Sequence, residues 1–140
     1  MAQNETITVK ALVEAHPEKV WTFYTLPEHI TQWNFADPSW HCPSASNQLE
    51  IGGRYLARME AKDGSFGFDF EAVYTNIQTH RRLSYVFGNR HAHITFTPSG
   101  NHTEVSIQFE AESENPIELQ RNGWQAILNQ FKHHCESQPQ

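Results

Sequence analysis

Residues 115–137, NPIELQRNGWQAILNQFKHHCES, carry apolar side chains at helical spacing. The apolar positions are Trp124, Ile127, Leu128, Phe131 and Cys135. Asn115 and Pro116 suit the cap and the first position of a helix, and Glu118 completes a capping-box-like arrangement. Gly123 predicts a bend or a close approach to a neighbouring layer. The pattern therefore predicts a long C-terminal helix with one apolar face that packs on another layer.

The residues before this helix mostly alternate between apolar and polar side chains, which is the pattern of strands. TITVKALVEA (residues 6–15) is the first such segment, and others run from Leu49 to TEVSIQFEAE (residues 103–112). Between them, HPEKVWTFYT and LPEHITQW each place a proline at a first helical turn and predict two short helices. The order is a strand, two short helices, a meander of about five or six strands and the long helix. We expect an α+β fold, a strongly curved antiparallel sheet with the helix laid across it, in one domain of residues 1–140.

Residues 32–43, QWNFADPSWHCP, combine aromatic side chains with neither a helical nor a strand period. We expect a loop here, with Trp33, Phe35 and Trp40 as its largest side chains. His41 and Cys42 suggest a metal or a catalytic role, but no neighbouring residue supplies the further ligands or the base that such a role needs. We therefore interpret the loop as a lid or plug over an apolar core or cavity.

Composition and charge restrict the classes of partner. The net charge is −6, with 16 Asp and Glu against 10 Lys and Arg, and the basic residues are scattered apart from Arg81 and Arg82. This balance argues against nucleic acid and against an anionic membrane surface. No apolar run is long enough for a membrane span, and the N-terminal residues lack the pattern of a secretory signal. Two distant cysteines predict free thiols, and we expect a cytoplasmic protein.

Three segments together resemble a known superfamily: EKVWTFYTLPEHITQW (residues 18–33), GGRYLARMEAKDGSFGFDF (residues 52–70) and LQRNGWQAILNQFKHH (residues 119–134). Their order, with the Gly52–Gly53 and Gly123–Trp124 pairs, resembles the START/Bet v 1-like (SRPBCC) superfamily. Within it, the chain is similar to the branch named after activators of the heat-shock-protein-90 ATPase. The resemblance implies a helix-grip fold, in which the sheet wraps the C-terminal helix around an apolar cavity. It implies no shared catalytic motif.

In such a fold the apolar face of the helix would face aromatic side chains of the sheet. The predicted ligand-binding residues are Trp33, Phe35, Trp40, Tyr55, Met59, Phe68, Phe70, Phe96, Trp124, Ile127, Leu128 and Phe131. We expect them to bind a small hydrophobic or amphipathic molecule, lipid-like or aromatic. A filled core, with no ligand and no volume of at least about 300 Å³, would rule this function out. The alternative is that these side chains simply fill the core.

Two other functions are kept as alternatives. The first is a co-chaperone-like module that binds a partner protein, although the resemblance implies that this activity belongs to longer proteins with an additional domain. The second is a cyclase or hydrolase, which would need a carboxylate or imidazole inside the cavity. Its candidates are Asp37, His41, Asp69 and Glu71, but alternation places Asp69 and Glu71 on the solvent face of their strand.

The remaining expectations concern metals, cofactors and assembly. His91 and His93 share one face of a predicted strand, whereas His133 and His134 are neighbours on a helix and diverge. No pair has the spacing of a known zinc motif, so we assign no metal ligand, cofactor or catalytic residue, and only a metal site assembled across separate elements stays open. A homodimer stays open.

Overall fold

A computed structural model describes residues 5–137 of the chain, so both ends of the predicted domain lie outside the described residues. Its elements are β1 Thr6–Val13, α1 Pro17–Thr25, α2 Pro27–Trp33, β2 Trp40–Asn47, β3 Arg54–Ala61, β4 Gly67–Gln78, β5 Arg82–Phe87, β6 Arg90–Ser99, β7 His102–Glu110 and α3 Ile117–Ser137. None of these helices is both long and apolar enough to cross a membrane.

The strands form a single antiparallel sheet in the order β1-β7-β6-β5-β4-β3-β2. Strands β2 to β7 are consecutive neighbours, and β1 pairs with β7 at the far side. The sheet curls into a half-barrel around α3, and α1 and α2 connect its two edge strands. The predicted α+β helix-grip fold is confirmed, and so are the two short helices after the first strand.

The prediction of a loop at residues 32–43 is wrong for its last four residues, 40–43. Residues Trp40–Asn47 form β2, the edge strand that pairs with β3. The register shifts between His41 and Ser44, where a β-bulge inserts one extra residue. That insertion interrupts the two-residue alternation, which explains why the sequence showed no strand period. Pro43 falls inside the bulge, on an edge strand where a missing N–H is tolerated.

Side chains of α3 hold this helix along the edge strand β1. The Gln125 amide donates from Nε2 to the Lys10 carbonyl oxygen at 2.9 Å. Further along the helix, the Glu14 backbone N–H donates to Glu136 Oε2 at 2.9 Å. The first bond engages the backbone of β1 on the side away from its partner strand β7, and the second engages Glu14, the residue directly after β1. The helix is therefore fixed to the sheet near both its middle and its end.

The start of α3 differs from the predicted cap. The helix begins at Ile117, and the Gln120 N–H donates to the Pro116 carbonyl at 3.2 Å. Pro116 therefore occupies the cap position predicted for Asn115, and Ile117 the first helical position predicted for Pro116. The Asn115 amide donates to Glu112 at 2.7 Å, and Glu118 forms an ion pair with Arg121. Among the hydrogen bonds of the described residues, neither side chain accepts one from a backbone N–H at the start of α3.

Gly123 and Gly53 differ in the space that surrounds a side chain at each position. A Cβ atom at Gly123 would meet no atom within 4 Å, so the predicted close approach of α3 to the sheet at that residue is wrong. At Gly53 a Cβ atom would lie 2.1 Å from the Gln48 carbonyl oxygen and 2.8 Å from that of Glu50. The neighbouring Gly52 has a φ of +84°. The predicted bend at Gly52–Gly53 is thus present, and it requires glycine at both positions.

Candidate ligand-binding site

A cavity of about 250 Å³ lies between α3 and the concave face of the sheet. Its wall consists of Tyr24, Trp33, Asn34, Tyr55, Met59, Phe68, Phe70, Tyr85, Phe87, Arg90, Ile107, Trp124, Ile127 and Leu128. Phe68 is 42% exposed, so it stands where the cavity meets solvent. Large apolar side chains supply most of the wall, which is the usual composition of small-molecule sites.

The cavity brings together many of the side chains predicted to bind a ligand. The predicted residues on its wall are Trp33, Tyr55, Met59, Phe68, Phe70, Trp124, Ile127 and Leu128. The predicted residues outside the wall are Phe35, Trp40, Phe96 and Phe131. The structure thus brings eight of the twelve residues together around the cavity, and ligand binding by any of the twelve stays a prediction.

Phe96 and Phe131 belong to the solid part of the core. Phe96 is 1% exposed and Phe131 is fully buried. Both rings pack edge-on against Tyr24, with centroids 5.6 and 5.1 Å away, and Phe131 also contacts Trp33 at 5.1 Å. The helix α3 therefore has two environments: Phe131 packs against the rings of Tyr24 and Trp33 from α1 and α2, and Trp124 borders the cavity.

The aromatic residues expected to form a lid have separate positions. Trp33 is a wall residue, 3% exposed, whose indole N–H donates to the Phe23 carbonyl at 3.0 Å. Trp40 lies on β2 and contacts the rings of Phe66 and Phe68 at 5.9 and 6.1 Å. Phe35 is partly buried outside the wall. The three do not form a common lid, because β2 is part of the sheet and holds Trp40 at its edge.

Polar groups gather at one part of the wall. Asn34 donates from its amide to the Tyr55 hydroxyl at 3.3 Å. The rings of Tyr55 and Tyr85 stack with centroids 6.3 Å apart. Burial, together with neighbouring tyrosines, raises the pKa of Tyr24, Tyr55 and Tyr85. All three phenols therefore stay protonated at physiological pH and can donate hydrogen bonds.

Arg90 is the one charged residue on the wall within the described part of the chain. Its guanidinium carbon lies 4.3 Å from the centroid of the Phe87 ring, which is a cation–π contact. Its Nη1 donates to the Glu110 carbonyl oxygen at 3.1 Å. Burial lowers the pKa of this guanidinium, although an arginine remains charged.

Six wall residues were missed by the sequence reasoning: Tyr24, Asn34, Tyr85, Phe87, Arg90 and Ile107. A signal for Arg90 is present in the sequence. Strand β6 alternates, so Arg90 shares the inner face with the buried Ile94 and Phe96. A charged residue among the inward-facing apolar residues of a strand indicates a binding site, since cores rarely accept an unpaired charge.

The groups considered for catalysis lie outside the cavity. Asp37 is exposed and accepts a bond from the Ser39 N–H at 2.8 Å, as in a turn. His41 faces Glu60 at 3.7 Å, and the exposed Asp69 faces Arg58 at 3.4 Å. The predicted solvent position of Asp69 is thereby confirmed. Burial raises the pKa of the Cys42 thiol to about 11, which leaves it a poor nucleophile at neutral pH.

The histidines on β6 have separate partners on the outer face of the sheet. His91 Nδ1 lies 2.9 Å from Glu110 Oε1. His93 Nδ1 lies 2.7 Å from the Ser84 hydroxyl. Within residues 5–137, no group of three or more His, Cys, Asp or Glu side chains converges as metal ligands would.

A second histidine pair connects α2 with α3. His29 Nδ1 and His134 Nε2 are 3.0 Å apart, so a single proton lies between them. His134 is 7% exposed, and the His29 ring stacks on Phe23 with centroids 3.9 Å apart. Burial lowers the pKa of His134, and the charges of His29, His133 and Lys19 lower it further. The folded protein therefore holds this imidazole neutral.

This pair predicts a loss of stability in mild acid. Below about pH 6.5 the unfolded chain protonates His134, whereas the folded chain resists protonation until its lower pKa is reached. The free energy of unfolding should therefore fall as the pH falls below about 6.5, by at most about 1.4 kcal/mol per pH unit for this one proton. Urea unfolding between pH 7.5 and 5 measures the slope. The dependence of the free energy of unfolding on pH should be shallower in His134→Gln than in the wild-type protein. It should be unchanged in the control His16→Gln, which alters an exposed histidine. Equal slopes in all three proteins would contradict the prediction.

Comparison with known proteins places the chain in a group of similar folds. An AHSA1-like protein from Aeromonas hydrophila is 34% identical, with a TM-score of 0.88, over 97% of this chain and 99% of that one. The protein Chr148 from Cytophaga hutchinsonii is 45% identical, with a TM-score of 0.81, over 94% and 92% of the two chains. The protein CV1439 from Chromobacterium violaceum shares the fold at 24% identity and a TM-score of 0.85, over 96% and 99%. No curated protein matches the sequence significantly.

The family assignment rests on most of the chain. The model of the family described as Activator of Hsp90 ATPase homolog 1-like protein matches residues 14–136, from the end of β1 to the end of α3. With the helix-grip fold and the two relatives above 30% identity, the chain belongs to this family of the SRPBCC/Bet v 1-like superfamily.

Proposed function

We propose that this protein binds a small hydrophobic or amphipathic molecule in the cavity between α3 and the sheet. The observation that supports the proposal is the void of about 250 Å³ among large side chains. Protein interiors are otherwise close-packed, and a void deprives its lining of dispersion contacts. An apolar occupant would restore those contacts. The wall also offers a few polar groups, which is the usual means of orienting a ligand.

The volume restricts the size of the ligand. At about 250 Å³ the cavity lies just below the figure of about 300 Å³ at which sites for drug-sized ligands begin. An apolar cavity of about 150 Å³ in another protein holds benzene, so volume scaling gives about ten non-hydrogen atoms here. We therefore propose a single-ring compound or a medium-chain aliphatic compound, rather than a sterol or a phospholipid.

Filling the cavity tests the proposal. Ile127 lies on the wall and is half-buried, so Ile127→Trp would place an indole in the void. We expect the wild-type protein to bind ethylbenzene and Ile127→Trp to bind it at least about tenfold more weakly, a change of about 1.4 kcal/mol. Titration followed by protein NMR gives both dissociation constants, and native mass spectrometry of freshly purified protein shows any molecule that copurifies.

The matched control is Leu119→Trp. Leu119 is on the same helix, is 58% exposed and lies outside the wall, so the same side chain is added away from the cavity. Ethylbenzene binding should be unchanged in this variant. Equal ethylbenzene binding by the wild-type protein and Ile127→Trp would refute the proposal. Failure of the wild-type protein to bind any apolar or amphipathic probe of this size would refute it as well.

A further inference from the structure

We propose that the ligand is a small carboxylate, an aryl or medium-chain acid whose anionic group binds the guanidinium of Arg90. This inference rests on the proposed function and names the chemical class of its ligand. Arg90 is the only cationic side chain on the cavity wall within the described residues. The position of this one charge beside an apolar void points to an amphipathic anion.

The contacts of Arg90 hold it in place but do not neutralise it. Its guanidinium lies over the Phe87 ring at 4.3 Å and donates one hydrogen bond to the Glu110 backbone carbonyl at 3.1 Å. Both partners are uncharged. A guanidinium has five N–H donors, so most of them stay available to a ligand. Within residues 5–137, Arg90 forms no ion pair with a carboxylate.

The two nearby carboxylates are engaged by other donors. Glu110 Oε1 accepts hydrogen bonds from the backbone N–H of His91 at 2.6 Å and lies 2.9 Å from His91 Nδ1. Glu112 accepts bonds from the Asn115 N–H at 2.6 Å and the Asn115 amide at 2.7 Å. These two carboxylates attract Arg90 from a distance, yet burial still lowers the pKa of its guanidinium. The Arg90 guanidinium is thus half-buried and has unused N–H donors. A carboxylate of a ligand can accept two parallel, charge-assisted hydrogen bonds from such a group.

The chemistry of the wall favours a carboxylate over a phosphate. One guanidinium compensates a single negative charge, whereas a dianionic phosphate would leave one charge unpaired against apolar carbon. Aromatic rings border the Arg90 end of the cavity, since Trp124 lies 5.6 Å from Phe87 and 6.4 Å from Phe70. Rings of this kind pack well against an aryl or aliphatic body. The ligand is thus a monoanion with an apolar body.

A pair of isosteric probes tests the charge directly. Phenylacetate and phenylacetamide each have about ten non-hydrogen atoms, the size that the cavity holds by volume scaling. They differ mainly in the charge of the group that would meet Arg90. We expect phenylacetate to bind the wild-type protein at least about tenfold more tightly at pH 7 and low salt, because a hydrogen bond to a charged group contributes more than a neutral one. Isothermal titration calorimetry measures both dissociation constants.

Substitution of Arg90 separates the role of its charge from folding. Arg90→Gln should weaken phenylacetate binding at least about tenfold and leave phenylacetamide binding unchanged, so the neutral probe reports that the cavity is intact. Arg90→Lys keeps the charge but loses the planar pair of donors, and an intermediate affinity for phenylacetate is expected. The control Arg81→Gln removes the same charge from an exposed position outside the wall and should alter neither dissociation constant.

The outcomes distinguish this inference from the function on which it rests. Equal binding of the two probes by the wild-type protein, or phenylacetate binding unaffected in Arg90→Gln, would overturn the carboxylate assignment and leave the cavity as an apolar binding site. Failure of ethylbenzene and of both probes to bind would overturn the assignment together with the proposed function.

Discussion

Replacing Phe131 with alanine is expected to lower the free energy of unfolding by about 3–5 kcal/mol. The ring is fully buried and contacts Tyr24 and Trp33 edge-on, so its removal leaves a void where α3 meets α1 and α2. The surrounding rings are held by other contacts and cannot collapse into that void without losing them. Chemical denaturation of the wild-type protein and the variant measures the difference.

Two control variants test whether the loss of stability in Phe131→Ala comes from burial of this ring outside the cavity. Phe66→Ala removes the same ring from a side chain that is 61% exposed and should change the free energy of unfolding by about 0.5 kcal/mol or less. Phe131→Leu keeps most of the buried volume and should leave ethylbenzene binding unchanged, because residue 131 does not line the cavity. A loss below about 1 kcal/mol in Phe131→Ala would contradict its assignment to the solid core.

Gly53→Ala is expected to destabilise the fold by about 3 kcal/mol, the upper end of the range for overpacking. The added Cβ atom would lie 2.1 Å from the Gln48 carbonyl oxygen, which is a backbone atom and cannot rotate away. Hydrogen bonds also hold the bend: the Gly53 N–H donates to Glu50 at 2.8 Å, and the Tyr74 N–H donates to the Gly53 carbonyl at 3.0 Å. Relief of the overlap would therefore break the hydrogen bonds that close the bend and join it to β4 just before β3 begins.

Gly123→Ala is the matched substitution with the opposite expected sign. No atom lies within 4 Å of a Cβ at residue 123, and the residue sits inside α3. Alanine should stabilise the protein by up to about 1 kcal/mol through helix propensity alone. Thermal and urea unfolding of both variants give the two signs. Destabilisation by both would show that α3 packs more closely at this residue than its surroundings indicate, and stabilisation by both would contradict the steric argument at Gly53.

The fold could be predicted wherever the period of apolar residues was uninterrupted. Residues such as Leu128 and Phe131 in α3, and Val105 and Ile107 in β7, recur at the spacing of their elements and are buried as that spacing implies. Strand β2 was missed because its bulge shifts the alternation and because, as an edge strand, it buries only one of its eight residues, Cys42. The alternation of apolar and polar residues does not reveal a strand when a bulge turns the side chains of one half to the opposite face of the sheet.

The candidate site could be predicted only in its apolar part. The helical spacing places Trp124 and Phe131 on the same apolar face of α3. Only Trp124 lines the cavity, whereas Phe131 is buried in the core, so spacing alone does not separate a wall residue from a core residue. That distinction depends on how far α3 diverges from the sheet at each turn, which is a property of packing in three dimensions. Asn34 and Arg90 also line the cavity, but they are polar and are not part of the aromatic pattern that predicted the site. Arg90 could have been found from its inward position on β6, whereas Asn34 lies outside any periodic element.

The attachment of α3 to β1 also bears on how the protein avoids self-association. An edge strand displays unpaired N–H and C=O groups, on which a second chain can add a strand. Gln125 occupies such a group at Lys10, and Glu136 binds the backbone of Glu14 just after the strand, so the helix shields the edge with its own side chains. A molecule in which α3 lifts away would expose both the apolar cavity and an open strand template at once. The same helix that encloses the cavity thus protects the folded protein from aggregation.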